Sequence, residues 1–241
     1  MSIATKIKKV MSDGWTILET YIPGKGLSNE YFYLDKKAPS VRMTDKISQQ
    51  YAAYTLIEKD LRSVVFWLEE IERLSPDQTD RVKDPDKMNI IKGLFVAALT
   101  FYGKCFASCE GRKVKLERSN IDEEFQDAHD HVMILRHNFA AHSGAENFEE
   151  VSVSLALHPS KKSDMKPKLY TELSQPDYIS AESLAFKELA AHLQKTTFAK
   201  RSSVGEVVLE KVVAPKGKMH WYKKAKANKS SKKDALKRAS S

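Results

Sequence analysis

The sequence predicts an all-α protein: an up-and-down helical bundle with a β-hairpin insertion and a disordered basic C-terminal tail. In several long stretches the apolar residues recur at steps of three and four, which is the period of a helix with one face on a core. Residues 151–158 instead alternate apolar and polar side chains, which is the period of a strand, and residues 168–173 can return as a partner strand. Residues 216–241 are rich in Lys, Ser and Ala and poor in large apolar residues, so they offer little apolar surface for a core.

The first 43 residues have a mixed composition. Pro23, Gly24 and Gly26 indicate a turn, and the short aromatic pieces YIP and EYFYLD lie on either side of it. We expect an N-terminal segment that wraps the bundle, either as short strands or as ordered irregular chain. The bundle itself is expected over residues 44–215.

Two helices precede the middle of the chain. Residues 44–74 carry apolar side chains every three or four positions, which predicts a helix of about 45 Å. Ser75 and Pro76 end it, and a polar loop follows to Pro85. Residues 86–110 are apolar on nearly every side, which is typical of a central bundle helix. Gly111 is expected to close this second helix in the left-handed conformation.

A third helix is predicted from Asn120, whose Asn-x-x-Glu pattern is typical of a helix N-cap. Residues 151–158 and 168–173 are expected to pair as a hairpin, and a fourth helix follows Ser180. Residues 204–213 suit a buried strand and a short helix equally well. The bundle is expected to run up and down because two of its connections are short.

Composition excludes several classes of protein. No apolar run approaches the roughly 18 residues of a membrane helix, and the N-terminal stretch lacks the apolar region of a secretion signal. A cytoplasmic protein without membrane association is therefore expected. Cys105 and Cys109 are the only cysteines and have no second pair with which to form a zinc site, so reduced core residues are expected.

Positive charge is concentrated in the tail. Residues 216–241 contain ten Lys or Arg and one Asp, a net charge of +9, whereas the remaining residues contain 30 basic and 31 acidic side chains. Such a tail attracts phosphate by releasing counterions, and its aromatic residues can stack on bases, which favours RNA as a partner. A solubilising tail is the alternative. The candidate RNA-binding residues are Lys218, Trp221, Tyr222, Lys223, Lys224 and Lys226.

The third helix carries the candidate site in the stretch RHNFAAH. On a helical wheel of about 100° per residue, one apolar seam runs along the helix as far as Phe139. Arg136 and His142 flank that seam on opposite sides, Asn138 lies beside His142, and His137 points away. If the seam packs against that of a second copy, two-fold symmetry places two arginines and two histidines in one cleft suited to phosphate.

Such a cleft can cleave RNA without a metal or another cofactor. A histidine with a pKa near neutrality can accept the proton of the ribose 2′-hydroxyl, which then attacks the adjacent phosphorus. An arginine can stabilise the phosphate oxygens that gain charge. Two alternatives remain open: ordinary cations at the end of a helix, and a metal site in DAHDH, where Asp127 and His131 are one turn apart.

The stretch RHNFAAH resembles the R-x(4-6)-H motif of the HEPN superfamily, whose members are bundles of four or five helices and include many metal-independent ribonucleases. The resemblance implies that Arg136 and His142 form the catalytic pair of a homodimer. It also implies that His137 occupies the polar position after the arginine, where Asn138 follows one place later. A toxin or antiphage role with a neutralising or regulatory protein partner would fit. Some members only bind nucleotides or dimerise, so a non-catalytic RNA-binding or interaction module is the alternative.

Overall fold

The computed structural model describes residues 5–22, 26–74, 80–112, 114–141, 150–161, 164–174 and 181–238. The chain is mostly helical, and it also contains a four-stranded and a two-stranded antiparallel sheet. The mostly helical class and the hairpin are therefore as predicted, whereas the four-stranded sheet departs from the predicted all-α class. Two compact units divide the chain, one made of residues 1–48 and 206–241 and the other of residues 49–205. Within the described ranges, the helices are all too short or too polar to cross a bilayer.

The N-terminal segment is a meander of four strands: β1 (Thr5–Val10), β2 (Trp15–Ile22), β3 (Gly26–Tyr33) and β4 (Lys36–Lys37). Of the two possibilities left open by the sequence, strands are the one observed. Leu34 and Asp35 join β3 to β4, and both have positive φ, which a two-residue hairpin turn requires when its twist matches that of the strands.

Residues 49–205 contain a helical core. The helices are α1 (Lys46–Leu74), α2 (Asp80–Lys83), α3 (Pro85–Phe106), α4 (Gln126–Leu135) and α5 (Ala181–Val207), which confirms the helices predicted from residues 44, 86 and 181 onward. The largest fully buried side chains come from α1, α3, α4 and α5 and include Ile57, Leu61, Ile91, Leu99, Tyr102, Val132, Phe186, Leu189 and Leu193. Burial of such side chains supplies the main stabilisation of the unit.

The end of α3 differs from the prediction. The helix stops at Phe106, before Gly111, which is not left-handed. The guanidinium of Arg112 donates to the carbonyls of Lys104 and Ala107, so a side chain supplies hydrogen-bond donors to backbone carbonyls at the end of α3. Arg112 also lies 4.0 Å from the carboxylate of Asp60, and both side chains are buried.

The start of the third predicted helix is also corrected. Asn120 does not cap it, because its Oδ1 accepts from the amide of Glu117, 3.0 Å away, and closes a 3-10 turn instead. A second 3-10 turn, Glu123–Phe125, follows, and α4 begins only at Gln126. After Leu135 the chain continues as a π-helical segment, Arg136–Ala141.

The predicted hairpin is confirmed as β5 (Glu150–Ala156) and β6 (Lys168–Ser174). Cross-strand partners such as Val151 with Leu173 and Leu155 with Leu169 share one face, which carries no charged residue. The strand alternation is therefore correct, although the described side chains of this hairpin are exposed on both faces.

The C-terminal part of the chain is helical. Residues 204–213 prolong α5 and then form a π-helical segment, Val208–Val213. Of the two possibilities left open by the sequence, strand or helix, the helix is therefore the one observed. The disordered tail predicted from residue 216 is wrong for Gly217–Arg238, which forms α6. Lysine and alanine are good helix formers, so a sequence too polar for a core can still be helical.

Candidate functional site

Arg136 is seated against the backbone of α3. A methyl group at the Cα of Gly103 would lie 2.9 Å from Cγ of Arg136 and 3.0 Å from both Cδ and Nε. The alkyl chain of Arg136 therefore occupies the space that any other residue at 103 would fill. Gly103 is buried and Arg136 is half-buried, so one side of the arginine side chain packs against α3 and the rest is exposed.

The charge of Arg136 is not neutralised within the described ranges. No described carboxylate lies within ion-pair distance of its guanidinium. Other arginines of the chain do have such partners: Arg62 and Arg201 pair with Glu58, Arg73 with Glu70, Arg112 with Asp60 and Arg118 with Asp130. Arg136 is therefore an arginine with a supported stem and a charge available to an anion.

The second member of the predicted pair, His142, lies outside the described residues, so the pairing of Arg136 with His142 stays a prediction. Of the two supporting residues, His137 is exposed and Asn138 is half-buried. The π-helical segment changes the geometry on which the helical wheel rests. Its hydrogen bonds run to the fifth residue, so a step of about 100° per residue does not apply between Arg136 and Ala141. Short π-helical segments are frequent at functional sites.

The apolar seam beside the motif faces the chain's own core. Leu135 is buried, and Phe139 packs against the same core cluster with the ammonium of Lys92 5.5 Å from its ring centroid. Most of the seam is therefore taken up by packing within the chain, and the dimer stays a prediction. Ile134, which is 45% exposed, is the apolar residue of α4 that faces solvent.

His129, in the middle of DAHDH, is a buried residue with a partner. Its Nδ1 lies 2.7 Å from the hydroxyl of Tyr102, and its ring centroid lies 4.5 Å from that of Phe106. Burial lowers the pKa of His129, and burial also raises the pKa of Tyr102, so both groups are neutral at pH 7. Among the described residues, no three His, Cys, Asp or Glu side chains are placed to share a metal ion.

The two cysteines have different surroundings. Cys105 is buried, and burial raises the pKa of its thiol to about 12, so it stays protonated. Cys109 is exposed, so the prediction that both are core residues is wrong for Cys109. It lies beyond the end of α3, where the chain has left the core.

The tail residues lie on α6, and Trp221 anchors that helix. Its indole N–H donates to the carbonyl of Val213 at 3.0 Å, and the ammonium groups of Lys216 and Lys224 each lie 5.4 Å from its ring. Trp221 is therefore engaged within the chain and is half-buried, and its role in base stacking stays a prediction. Tyr222 is 50% exposed, and the ammonium of Lys218 lies 5.8 Å from its ring centroid.

The four candidate lysines of α6 are exposed cations. Lys218, Lys223, Lys224 and Lys226 have no carboxylate partner among the described residues. Lys218, Tyr222 and Lys226 are spaced four residues apart and so lie along one face of the helix. The prediction that these residues attract phosphate keeps its physical basis, with Tyr222 as the more exposed aromatic residue.

Sequence reasoning did not identify Gly103 as part of the site. A signal was present, because a glycine inside an otherwise apolar helix costs about 1 kcal/mol relative to alanine and so indicates a packing reason. The side chain that needs the space could not be identified, because Arg136 is 33 positions away in the sequence.

Comparison of the chain with protein-family models, with curated proteins and with solved structures finds no match.

Proposed function

We propose that the chain is a metal-independent endoribonuclease in which Arg136 and His142 act on a phosphodiester bond of RNA. The observation that carries the proposal is the environment of Arg136, whose stem is seated on Gly103 and whose charge has no described carboxylate partner. A guanidinium held in this way can pair with two phosphate oxygens at once. The resemblance of RHNFAAH to the HEPN motif supports the same assignment.

The reaction needs one base and one cation. The imidazole of His142 accepts the proton of the 2′-hydroxyl, whose oxygen then bonds to the adjacent phosphorus. The bond from phosphorus to the 5′-oxygen breaks, and that oxygen takes a proton from solvent. Arg136 stabilises the negative charge that grows on the phosphate oxygens during this step. The products are a 2′,3′-cyclic phosphate and a 5′-hydroxyl.

The proposal includes a homodimer with a composite site. Because the seam of α4 is used by the core, we propose that the second copy meets the opposite side of the helix, where Ile134 is exposed. Ile134→Asp should then convert a dimer into a monomer in sedimentation and lower cleavage. A parent protein that sediments as a monomer at micromolar concentration contradicts the composite site.

The cleavage experiment compares single variants on labelled RNA in EDTA. His142→Ala and Arg136→Ala should each lower the rate by about 100-fold or more and leave RNA binding largely intact. His131→Ala is the matched control, because His131 is an exposed histidine of α4, and it should cut like the parent. His137→Ala should have a smaller effect than His142→Ala.

Substrate chemistry provides a second criterion. DNA and 2′-O-methyl RNA should survive because they lack the attacking hydroxyl. A His142→Ala protein that cuts as fast as the parent contradicts the mechanism.

A second candidate function is RNA binding without cleavage, and the unpaired lysines of α6 favour it. Replacing Lys218, Lys223 and Lys226 with Gln should lower the slope of log affinity against log salt by about 2, since each phosphate contact on a single strand contributes about 0.7. The matched control replaces three exposed lysines at the hairpin: Lys161, Lys166 and Lys168. An unchanged slope in the α6 variant would show that the helix only confers solubility.

A further inference from the structure

The four-stranded sheet is open along the outer edge of β1. Among the described strands, β1 pairs only with β2, and its six residues are all exposed. Its register is regular from Thr5, opposite Tyr21, to Val10, opposite Thr16, and the strand contains no proline. Such an edge presents a row of backbone N–H and C=O groups to which a further strand can add.

The hydrogen-bond pattern shows which residues of β1 direct their backbone groups outward. The amide of Met11 donates to the carbonyl of Trp15 at 2.8 Å, in the register that continues the ladder between β1 and β2. In antiparallel strands, pairs that exchange hydrogen bonds alternate with pairs that do not. The odd-numbered residues of β1 therefore bond to β2. The N–H and C=O groups of Lys6, Lys8 and Val10 point toward the open edge.

Two of these three residues also carry uncompensated charge on one face of the sheet. Lys8 lies opposite Leu18, which lies opposite Glu30, so these three side chains share a face. Lys6 is on the same face, about 7 Å from Lys8 along the strand. The carboxylate of Glu30 pairs with Lys37 at the other edge of the sheet. Lys6 and Lys8 have no carboxylate partner among the described residues.

The opposite face of the sheet is mainly apolar beside β1. Ile7, which is 50% exposed, lies on it between the two lysines. Glu19 on this face is paired with Lys9 at 2.8 Å. The register places four aromatic rings on the same face, those of Trp15, Tyr21, Tyr31 and Tyr33. The edge therefore presents two cations on one face and an apolar side chain between them on the other.

We propose that the edge of β1 binds an extended acidic segment of a partner protein, which adds to the sheet as a further strand. The outward N–H and C=O groups of Lys6, Lys8 and Val10 bond to the backbone of the segment. Side chains directly opposite each other on neighbouring strands are about 5 Å apart, so carboxylates opposite Lys6 and Lys8 form two ion pairs. The residue between those carboxylates lies beside Ile7, where an apolar side chain is favoured. The segment therefore alternates acidic and apolar residues.

Charge and backbone together select this partner over two others. A second copy of β1 would place lysine opposite lysine, and like charges in that position destabilise a strand pair. Lysines on an edge strand commonly prevent such self-association. RNA can neutralise Lys6 and Lys8, but it has no row of N–H and C=O groups to match the open edge. A strand with alternate carboxylates satisfies both the charges and the backbone.

Binding is measured with the full chain at low salt and two fluorescein-labelled peptides of eight residues. The first alternates Glu and Val, and the second has the order EEVVEEVV. Both have the same composition and charge, but the second never places two carboxylates at neighbouring positions on one face of a strand. The second peptide should bind about 2- to 10-fold more weakly, because an ion pair and an apolar contact are lost.

A charge swap locates the binding site. Lys6→Glu with Lys8→Glu should weaken binding of the alternating Glu–Val peptide about 4-fold or more, because two attractive pairs become repulsive. The same double variant should bind an alternating Lys–Val peptide more tightly than the parent does, which a misfolded protein would not do. Lys161→Glu with Lys166→Glu is the matched control, since it makes the same change in net charge at exposed lysines outside β1.

A proline tests the backbone contribution. Val10→Pro removes an outward N–H without removing a hydrogen bond to β2, and proline is tolerated on an edge strand whose N–H faces solvent. It should weaken binding of the alternating Glu–Val peptide about 2- to 10-fold, which is the contribution of one hydrogen bond. Val10→Ala keeps the N–H and should bind like the parent.

Hydrogen exchange of the parent protein provides a measurement that needs no variant. The alternating Glu–Val peptide should slow amide exchange at Lys6, Lys8 and Val10. The amides of Ile7 and Lys9 already bond to β2 and should change less. Protection confined to other segments contradicts a site on this edge.

Three binding results overturn the inference. Equal affinity for the two Glu–Val peptides shows attraction by charge alone, and unchanged affinity in Lys6→Glu with Lys8→Glu places the peptide elsewhere. A parent protein that binds a 2′-O-methyl RNA 12-mer through these lysines but does not bind the peptide assigns the edge to RNA.

The inference uses no residue of the proposed ribonuclease site, so the two proposals fail separately. A chain that binds the alternating Glu–Val peptide at β1 but cuts no RNA contradicts the ribonuclease and supports the edge site. A chain that cuts RNA but does not bind the peptide contradicts the edge site alone.

Discussion

A substitution of Gly103 tests the packing of Arg136 against α3 without any assumption about function. In Gly103→Ala the new methyl group would meet three atoms of the arginine side chain at 2.9 to 3.0 Å, which is closer than van der Waals contact allows. Overpacking of this kind costs about 1–3 kcal/mol. Alanine in place of glycine inside a helix contributes about 1 kcal/mol in the opposite direction. The single variant should therefore be destabilised by about 0–2 kcal/mol.

The double variant separates these two effects. When Arg136 is also alanine the clash is gone, and Gly103→Ala should then stabilise the protein by about 1 kcal/mol. The coupling between the two positions is thus about 1–3 kcal/mol, measured by urea unfolding of the parent, the two single variants and the double variant. Gly93→Ala is the control, because a methyl group there meets nothing within 4 Å and should stabilise equally in both backgrounds. If the changes in unfolding free energy at positions 103 and 136 add to within about 0.5 kcal/mol, the proposed packing of Arg136 against Gly103 is refuted.

Three further predictions concern stability and the C-terminal helix. Because burial lowers the pKa of His129, the unfolded chain takes up a proton first, so stability should fall as pH drops through about 6.5, by at most about 1.4 kcal/mol per pH unit. His129→Gln should remove that part of the slope in urea titrations at pH 5 to 8, and an identical slope would contradict it. Asp60→Ala leaves buried Arg112 without its carboxylate and should cost about 3 kcal/mol of unfolding free energy, whereas a loss under 1 kcal/mol would show that the pair is dispensable. Trp221→Ala removes the hydrogen bond to Val213, so trypsin should cut α6 faster than in the parent, and equal cutting rates would show that the anchor is not needed.

The helices with clear periodicity were predicted well. Apolar side chains recur at steps of three and four in residues 44–74, and residues 86–110 are apolar on nearly every side. Helices α1 and α3 form in these two stretches, with α3 ending at Phe106. The hairpin also followed from alternation, since a period of two places every second side chain on one face. Both patterns involve only residues close together in the sequence, so they can be recognised without knowledge of the rest of the chain.

The predictions that failed depended on competition between local signals. Asn120 has the chemistry of a cap, but it serves a 3-10 turn before the helix, because the amide of Glu117 is within its reach. Gly111 suits a helix end, but Arg112 satisfies the last carbonyls of α3 earlier. Either residue could have filled the expected role, and the choice depends on which donor the folded chain brings close.

The candidate pair of Arg136 and His142 stays a prediction, because His142 lies outside the described residues. The motif RHNFAAH identified Arg136 from its place on an amphipathic helix, and this residue is held near the surface with its charge available. The assumption of a regular helix up to His142 is not met, since the segment Arg136–Ala141 has the wider π-helical turn. The aromatic residues of the first 43 positions were seen in the sequence but not linked, because their common face depends on strand register.

The sequence by itself determined where the long helices and the hairpin lie, and how charge is distributed along the chain, because periodicity and composition are properties of neighbouring residues. Only the tertiary structure decided that Gly103 makes room for Arg136, that Trp221 is bound to its own chain, and that four aromatic rings share one face of a sheet. Each of these relations joins residues brought together by hydrogen-bond register or side-chain packing. Such contacts depend on distances of a few ångströms between parts of the chain whose separation in the sequence carries no information about them.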